Sequence, residues 1–166
     1  MKKILSAIIL ILVLLSGCTS GNTSAPATTP SASPSPEPVA SIPEIDESQI
    51  TEITEKMFIE QVNDVYLNPD DYLGKPLKLE GVFESFYLED TDETLRYVRR
   101  LGPGCCGNDG FVGFEVVYGG EYPNKNDWVE LIGIFEEYEE NDMQYFRIRA
   151  ASLTVMDERG NENIQQ

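Results

Sequence analysis

Apolar residues recur along this chain with two different periods, and the change falls between Asn68 and Pro76. Before it, Phe58, Val62, Val65 and Tyr66 follow one another at helical spacing, behind Thr54 in an N-cap position and Glu55 in the first turn. The pattern predicts one amphipathic helix ending near Asn68-Pro69, because proline cannot continue the hydrogen-bond ladder. After it the period becomes two: Leu77, Leu79 and Phe83 fall on one side of a strand, and Lys78, Glu80 and Glu84 largely on the other. Further extended runs cover 96–100, 111–118, 128–137 and 145–156, separated by segments rich in Gly, Asn, Asp or Pro. The expected count is five strands and one helix.

Two of these strands echo each other. Leu79-Glu80-Gly81-Val82-Phe83-Glu84 is matched by Leu131-Ile132-Gly133-Ile134-Phe135-Glu136, with glycine at the same place in each. Glycine inside a strand marks a bulge or a sharp bend, which a small closed barrel needs. The expected fold is therefore mainly β with one N-terminal helix, arranged as a small five-stranded OB-like barrel. An open α+β sandwich also satisfies the pattern.

The first residues follow a different logic. Lys2 and Lys3 precede an apolar run over 8–15, then Ser16, Gly17 and Cys18. This order is that of a secretory signal, and the run is shorter than the ~20 residues that span a bilayer as a stable helix. Leu15-Ser16-Gly17-Cys18 resembles the lipobox of bacterial lipoproteins. That resemblance implies a signal peptide over 1–17, lipidation of Cys18, and anchoring on the outer face of the cell membrane by acyl chains, two of which hold stably where one is marginal. Over 18–45 Ser, Thr, Ala and Pro dominate, with Pro26, Pro30, Pro34, Pro36, Pro38 and Pro43 and no apolar period. Such a stretch reads as a disordered tether of up to ~80 Å at full extension. The folded region is expected over 46–160, about 115 residues and enough for one core, with 161–166 as a C-terminal tail.

Charge narrows the choice of partner. The chain carries 12 Lys plus Arg against 29 Asp plus Glu and no histidine, a formal charge of −17 that becomes −19 if Lys2 and Lys3 leave with the signal peptide. That sign repels nucleic-acid phosphates, and no basic groove interleaves with the aromatics Phe83, Phe86, Tyr87, Tyr97, Phe111, Phe114, Tyr118 and Trp128, which read as core or barrel rim. Nucleic acid is excluded as a partner. The acidic runs over 89–93 and 136–142 lack calcium-loop spacing and read as solvated hairpin turns. Without histidine, a nucleophile motif or a phosphate-binding loop, the chain is not expected to be an enzyme.

Candidate chemistry is concentrated in Gly104-Cys105-Cys106-Gly107-Asn108-Asp109-Gly110, a glycine-rich turn between predicted strands. Two adjacent thiols leave three options. A vicinal disulfide closes across α-carbons only ~3.8 Å apart and stores strain, which suits a redox switch. Two thiolates also suit zinc or copper(I), with further ligands drawn from Asp109, Glu115, Asp127 or a partner protein. In the third option one cysteine simply packs as a small hydrophobe.

This motif carries a wider resemblance, together with Asn68-Pro69, Tyr72-Leu73-Gly74-Lys75, Leu79-Glu80-Gly81, Gly113-Phe114-Glu115-Val116 and Asn126-Asp127-Trp128-Val129-Glu130. The segment 54–166 resembles a small family of clostridial-type lipoproteins, similar in turn to the soluble C-terminal domain of two-component permease subunits of Gram-positive bacteria. The resemblance names no reaction. It implies a non-catalytic extracytoplasmic module that binds a ligand or an envelope protein such as a permease, with Gly104, Gly107, Gly110 and Trp128 as motif positions. The alternative is a metal-handling or thiol-redox lipoprotein working through Cys105 and Cys106.

Overall fold

The computed structural model describes residues 41–104 and 107–164. The expected signal peptide, Cys18, most of the tether and the pair Cys105-Cys106 lie outside the described residues; 41–45 carry no regular secondary structure.

The helix α1, Phe58–Leu67, buries Phe58, Ile59, Val62 and Val65. Its entry differs from the expectation. Thr54 precedes a 3-10 turn, Glu55–Met57, and makes no capping bond; its hydroxyl and its backbone N–H both donate to Gln61 Oε1, at 3.1 and 2.8 Å. Gln61 Nε2 in turn donates to Glu52 O at 3.0 Å, so a glutamine one turn into the helix holds the incoming chain. At the other end Asn68 donates through its backbone to Asp64 O and through its side chain to Asp64 Oδ1, and Pro69 stops the ladder.

The described residues form a mainly β fold: one mixed six-stranded sheet and the helix. The strands are β1 (Thr51–Ile53), β2 (Pro76–Leu88), β3 (Glu93–Gly104), β4 (Gly107–Tyr118), β5 (Trp128–Glu140) and β6 (Met143–Val155). All five expected strands are present; most run longer than expected at one end or both, while β6 stops one residue short of the expected 156. The count of five is corrected by β1, which runs parallel to β2 with Thr51 opposite Leu77 and Ile53 opposite Leu79. Three residues are too few to display a period, so this strand exists by virtue of the neighbour it pairs with.

Pairing runs from β2 to β3, β3 to β4, β4 to β6 and β6 to β5, and β5 pairs again with β2. Among the described strands, β4 with β6 and β1 with β2 pair parallel and the others antiparallel. The long strand β2 serves two neighbours in succession: Pro76–Val82 pairs with β5, and Val82–Leu88 with β3. The echoed glycines sit where backbones crowd. A Cβ on Gly81 would lie 2.8 Å from Arg99 O, and one on Gly133 would lie 2.4 Å from Arg149 O, beside the bulge where β5 slips register against β6.

Leu77, Leu79, Phe114, Leu131, Phe135 and Ile148 form the centre of the core with the buried side of α1. The stretch after β6, read as a C-terminal tail from 161 onward, is docked through residue 164. Leu101 N–H donates to Glu162 O and Ile164 N–H to Leu101 O, both at 2.8 Å, and the Ile164 side chain is buried in the core. The backbone groups of Leu101 supply the attachment, which no side-chain pattern in 161–164 advertises.

Candidate functional site: an aromatic and acidic face

Strand alternation turns Phe83, Val98 and Phe114 into the core, so the intervening residues of β2, β3 and β4 point the other way. Register places Glu84 opposite Tyr97 and Tyr97 opposite Glu115, which makes a row of carboxylate, phenol and carboxylate across the three strands. Three aromatic rings gather around it. Tyr97 and Phe111 meet edge to face at 5.1 Å between centroids, and Phe86 stands 6.1 Å from Tyr97 and 6.2 Å from Phe111. Phe86 is 42% exposed and Phe111 46%, a large apolar surface to leave in water beside charged groups. Gly113, opposite Arg99, separates Phe111 from Glu115 in the strand; a Cβ there would lie 2.2 Å from Val98 O.

Glu84 is the electrostatic centre. Only 5% of it is exposed, and Arg99 holds Oε2 at 3.0 Å. Lys125 Nζ pairs with Oε1 at 2.7 Å. Burial opposes the charge of Glu84; the cations Lys125 and Arg99 outweigh it and hold the carboxyl below the usual range. Arg99 also pairs with Glu162 at 2.7 Å, and Arg159 with Glu162 at 2.6 Å, so the docked C-terminal stretch is tied to the same network.

Glu115 is in the opposite state. It accepts one hydrogen bond, from Tyr138 Oη at 2.7 Å, and burial raises its carboxyl above the ordinary value despite that bond and the nearby Arg147. A carboxyl whose folded-state affinity for protons exceeds the unfolded one costs stability as pH rises through the unfolded value toward the folded one. Glu115→Gln, which keeps an acceptor for Tyr138, is therefore expected to melt at a higher temperature than the native chain at pH 7. The gain should disappear in acid, where Glu115 is protonated in both states; a gain of the same size at both pH values would show that charge is not its source.

The model of the DUF1980 C-terminal domain matches residues 35–163, most of the chain and all of this face. The chain belongs to the DUF1980 C-terminal domain family. No curated protein matches it.

Within this DUF1980 domain the motif positions read from sequence separate. Trp128 is buried: its N–H donates to Glu80 Oε2 at 3.2 Å, and the guanidinium groups of Arg100 and Arg159 lie over its ring at 4.8 and 5.6 Å. It is a packing residue. Gly102 pairs with Gly110 and Gly104 with Gly107 around a register shift, and a Cβ on Gly110 would fall 2.7 Å from Pro103 O. The glycines thus let β3 and β4 approach closely on either side of Cys105-Cys106. Both cysteines, and the side chain of Asp109, lie outside what the structure describes.

Of the other ligands considered, Glu115 is engaged by Tyr138 and Asp127 by the backbone N–H of Asn124 at 2.8 Å. Among the described residues no three His, Cys, Asp or Glu side chains gather as a metal site. The acidic runs are turn and ion-pair residues: Asp92 accepts from Tyr87 Oη at 2.7 Å, and Glu136 pairs with Arg147 and Arg149 at 2.7 and 2.8 Å. Two clefts among the described residues lie away from this row. One of about 730 Å³ is lined by Glu55, Lys56, Asn161, Asn163 and Ile164, and none of these belongs to the aromatic row. Glu84, Arg99 and Lys125 were not legible as site residues. The only signal was that Glu84 and Phe86, Tyr97 and Arg99, and Phe111 and Glu115 share parity within their strands.

Proposed function

We propose that this DUF1980 domain is the head of a lipid-anchored extracytoplasmic protein and acts as a non-catalytic contact module. Its ligand face is the row Glu84, Tyr97 and Glu115 with the rings of Phe86 and Phe111. The observation that carries the reading is the pair of exposed phenylalanines packed against Tyr97 over charged side chains. Aromatic rings at a polar boundary are characteristic anchors of protein contacts. The cyclic order of pairing, β2-β3-β4-β6-β5 and back to β2, supports an OB-like barrel in which this face is the outer surface of the first three barrel strands. The lipobox-like Leu15-Ser16-Gly17-Cys18 and the proline-rich stretch behind it support display on a tether at the outer face of the cell membrane. The partner is then an integral envelope protein such as a permease, reached by a domain that carries no transport pathway of its own.

In-cell photocrosslinking tests this directly. A benzoylphenylalanine in place of Phe111 is expected to give an adduct with an integral membrane protein. The same group in place of Glu60, exposed on α1, should give none. Equal labelling from both positions, or none from either, overturns the contact-face reading.

A further inference from the structure

We propose that this face takes the side chain of a lysine presented by an extended basic segment of a partner protein, and that Lys125 stands in for that lysine in the free protein. The inference rests on the contact-face reading above and deepens it.

Glu84 supplies the first observation. It is a carboxylate 95% withdrawn from water, and each of its oxygens is held by one cation, Oε2 by Arg99 at 3.0 Å and Oε1 by Lys125 at 2.7 Å. The Lys125 ammonium on Oε1 also lies 5.6 Å from the centroid of the Phe86 ring, within the range at which a ring face attracts a cation. Lys125 is the more exposed of the two cations on Glu84. Its side chain is 55% exposed, and pinning a lysine of that exposure costs rotamer entropy for little return. A lysine delivered by a bound segment would find the same carboxylate and the same ring, and could lay its methylene stem along Tyr97 and Phe111.

Glu115 supplies the second. It lies on the far side of Tyr97, two strands from Glu84 and so ~10 Å away at the backbone. Burial leaves its charge poorly compensated. Alternate residues of an extended peptide project to one side ~7 Å apart, so two lysines separated by one residue can address both carboxylates. The third observation is the formal charge of −17, which draws basic segments toward the domain and repels acidic ones.

Isothermal titration calorimetry on the full-length chain in detergent micelles at low salt, with an acetylated Gly-Lys-Gly-Lys-Gly amide as probe, tests the proposal. Lys125→Ala is expected to tighten binding at least fivefold by vacating the place. Lys56→Ala removes the same charge from the Glu55 cleft and should stay within twofold of the native chain. Phe86→Ser combined with Phe111→Ser should weaken binding at least fivefold; both rings are half exposed, and a melting curve checks that the variant is folded. If Lys125→Ala and Lys56→Ala act equally, the peptide sees only bulk charge and the proposal falls. It falls equally if the native chain shows no heat of binding at millimolar peptide. In either case the adduct from position 111 still reports independently on the contact face, so a wrong ligand and a wrong face are told apart.

Discussion

Arg100→Ala is expected to destabilise the fold by about 3 kcal/mol, from the cavity it opens and the carbonyls it abandons. Arg100 is 2% exposed. Its Nε donates to Glu80 O at 2.8 Å, and its Nη1 to Glu55 Oε2 at 3.0 Å and Asn161 O at 3.2 Å. The guanidinium plane lies between the rings of Phe58 and Trp128, 4.8 Å from each centroid. It therefore joins the start of α1, strand β2, strand β5 and the C-terminal stretch through one side chain. Glu55 is more than half exposed and rehydrates when the pair is broken, so the loss is smaller than for a fully buried ion pair. For a domain of this size the melting temperature should fall by roughly 10 °C. Arg100→Met, which restores the volume but not the donors, should recover about half of that. A melting temperature within about 2 °C of the native value for Arg100→Ala would show that the buried guanidinium contributes no net stability.

Gly133→Ala is expected to cost about 3 kcal/mol or more, the upper part of the range for forcing an extra carbon into a packed interior. The added Cβ would sit 2.4 Å from Arg149 O, 2.6 Å from Ile148 Cγ2 and 2.8 Å from Ala150 Cα. Two of these are backbone atoms of β6, so relief requires that β5 and β6 separate at the bulge. Gly74→Ala is the contrast. Gly74 has φ +74 with nothing within 4 Å of the added carbon, so it pays only the left-handed backbone penalty, about 1 kcal/mol. Chemical denaturation of the two variants side by side separates crowding from backbone strain. Equal midpoints would mean that β5 and β6 part without cost.

The same glycine shows how far local reading goes. The repeat of Leu-x-Gly-x-Phe-Glu marked Gly81 and Gly133 as places where a strand does something unusual, and both are points where neighbouring strands close in. Their second feature was hidden. Glu84 and Glu136 end the two copies, and each becomes the anchor of a pair of cations, Arg99 with Lys125 and Arg147 with Arg149. An alternating pattern assigns a glutamate after a core phenylalanine to solvent; Glu84 is instead nearly buried, with Arg99 and Lys125 on its two oxygens.

The order of the helix and the five long strands, the position of the helix stop and the core side of β2 were determined by the sequence itself, because they depend on residues within a few positions of one another. Phe83 could be set on the core side by counting along one strand, but Phe86, Phe111 and Phe114 were read together as core or barrel rim, and the first two are nearly half exposed. What only the tertiary structure decided is what depends on register and on distant chain. Tyr97 lies between Glu84 and Glu115 because three strands align in one way and no other. β1 is a strand because β2 is there to pair with it, and Asn161–Ile164 is structured because Leu101 offers free backbone groups. Hydrogen-bond pairing between remote segments satisfies backbone groups regardless of side-chain identity, so it leaves little trace in the order of the residues.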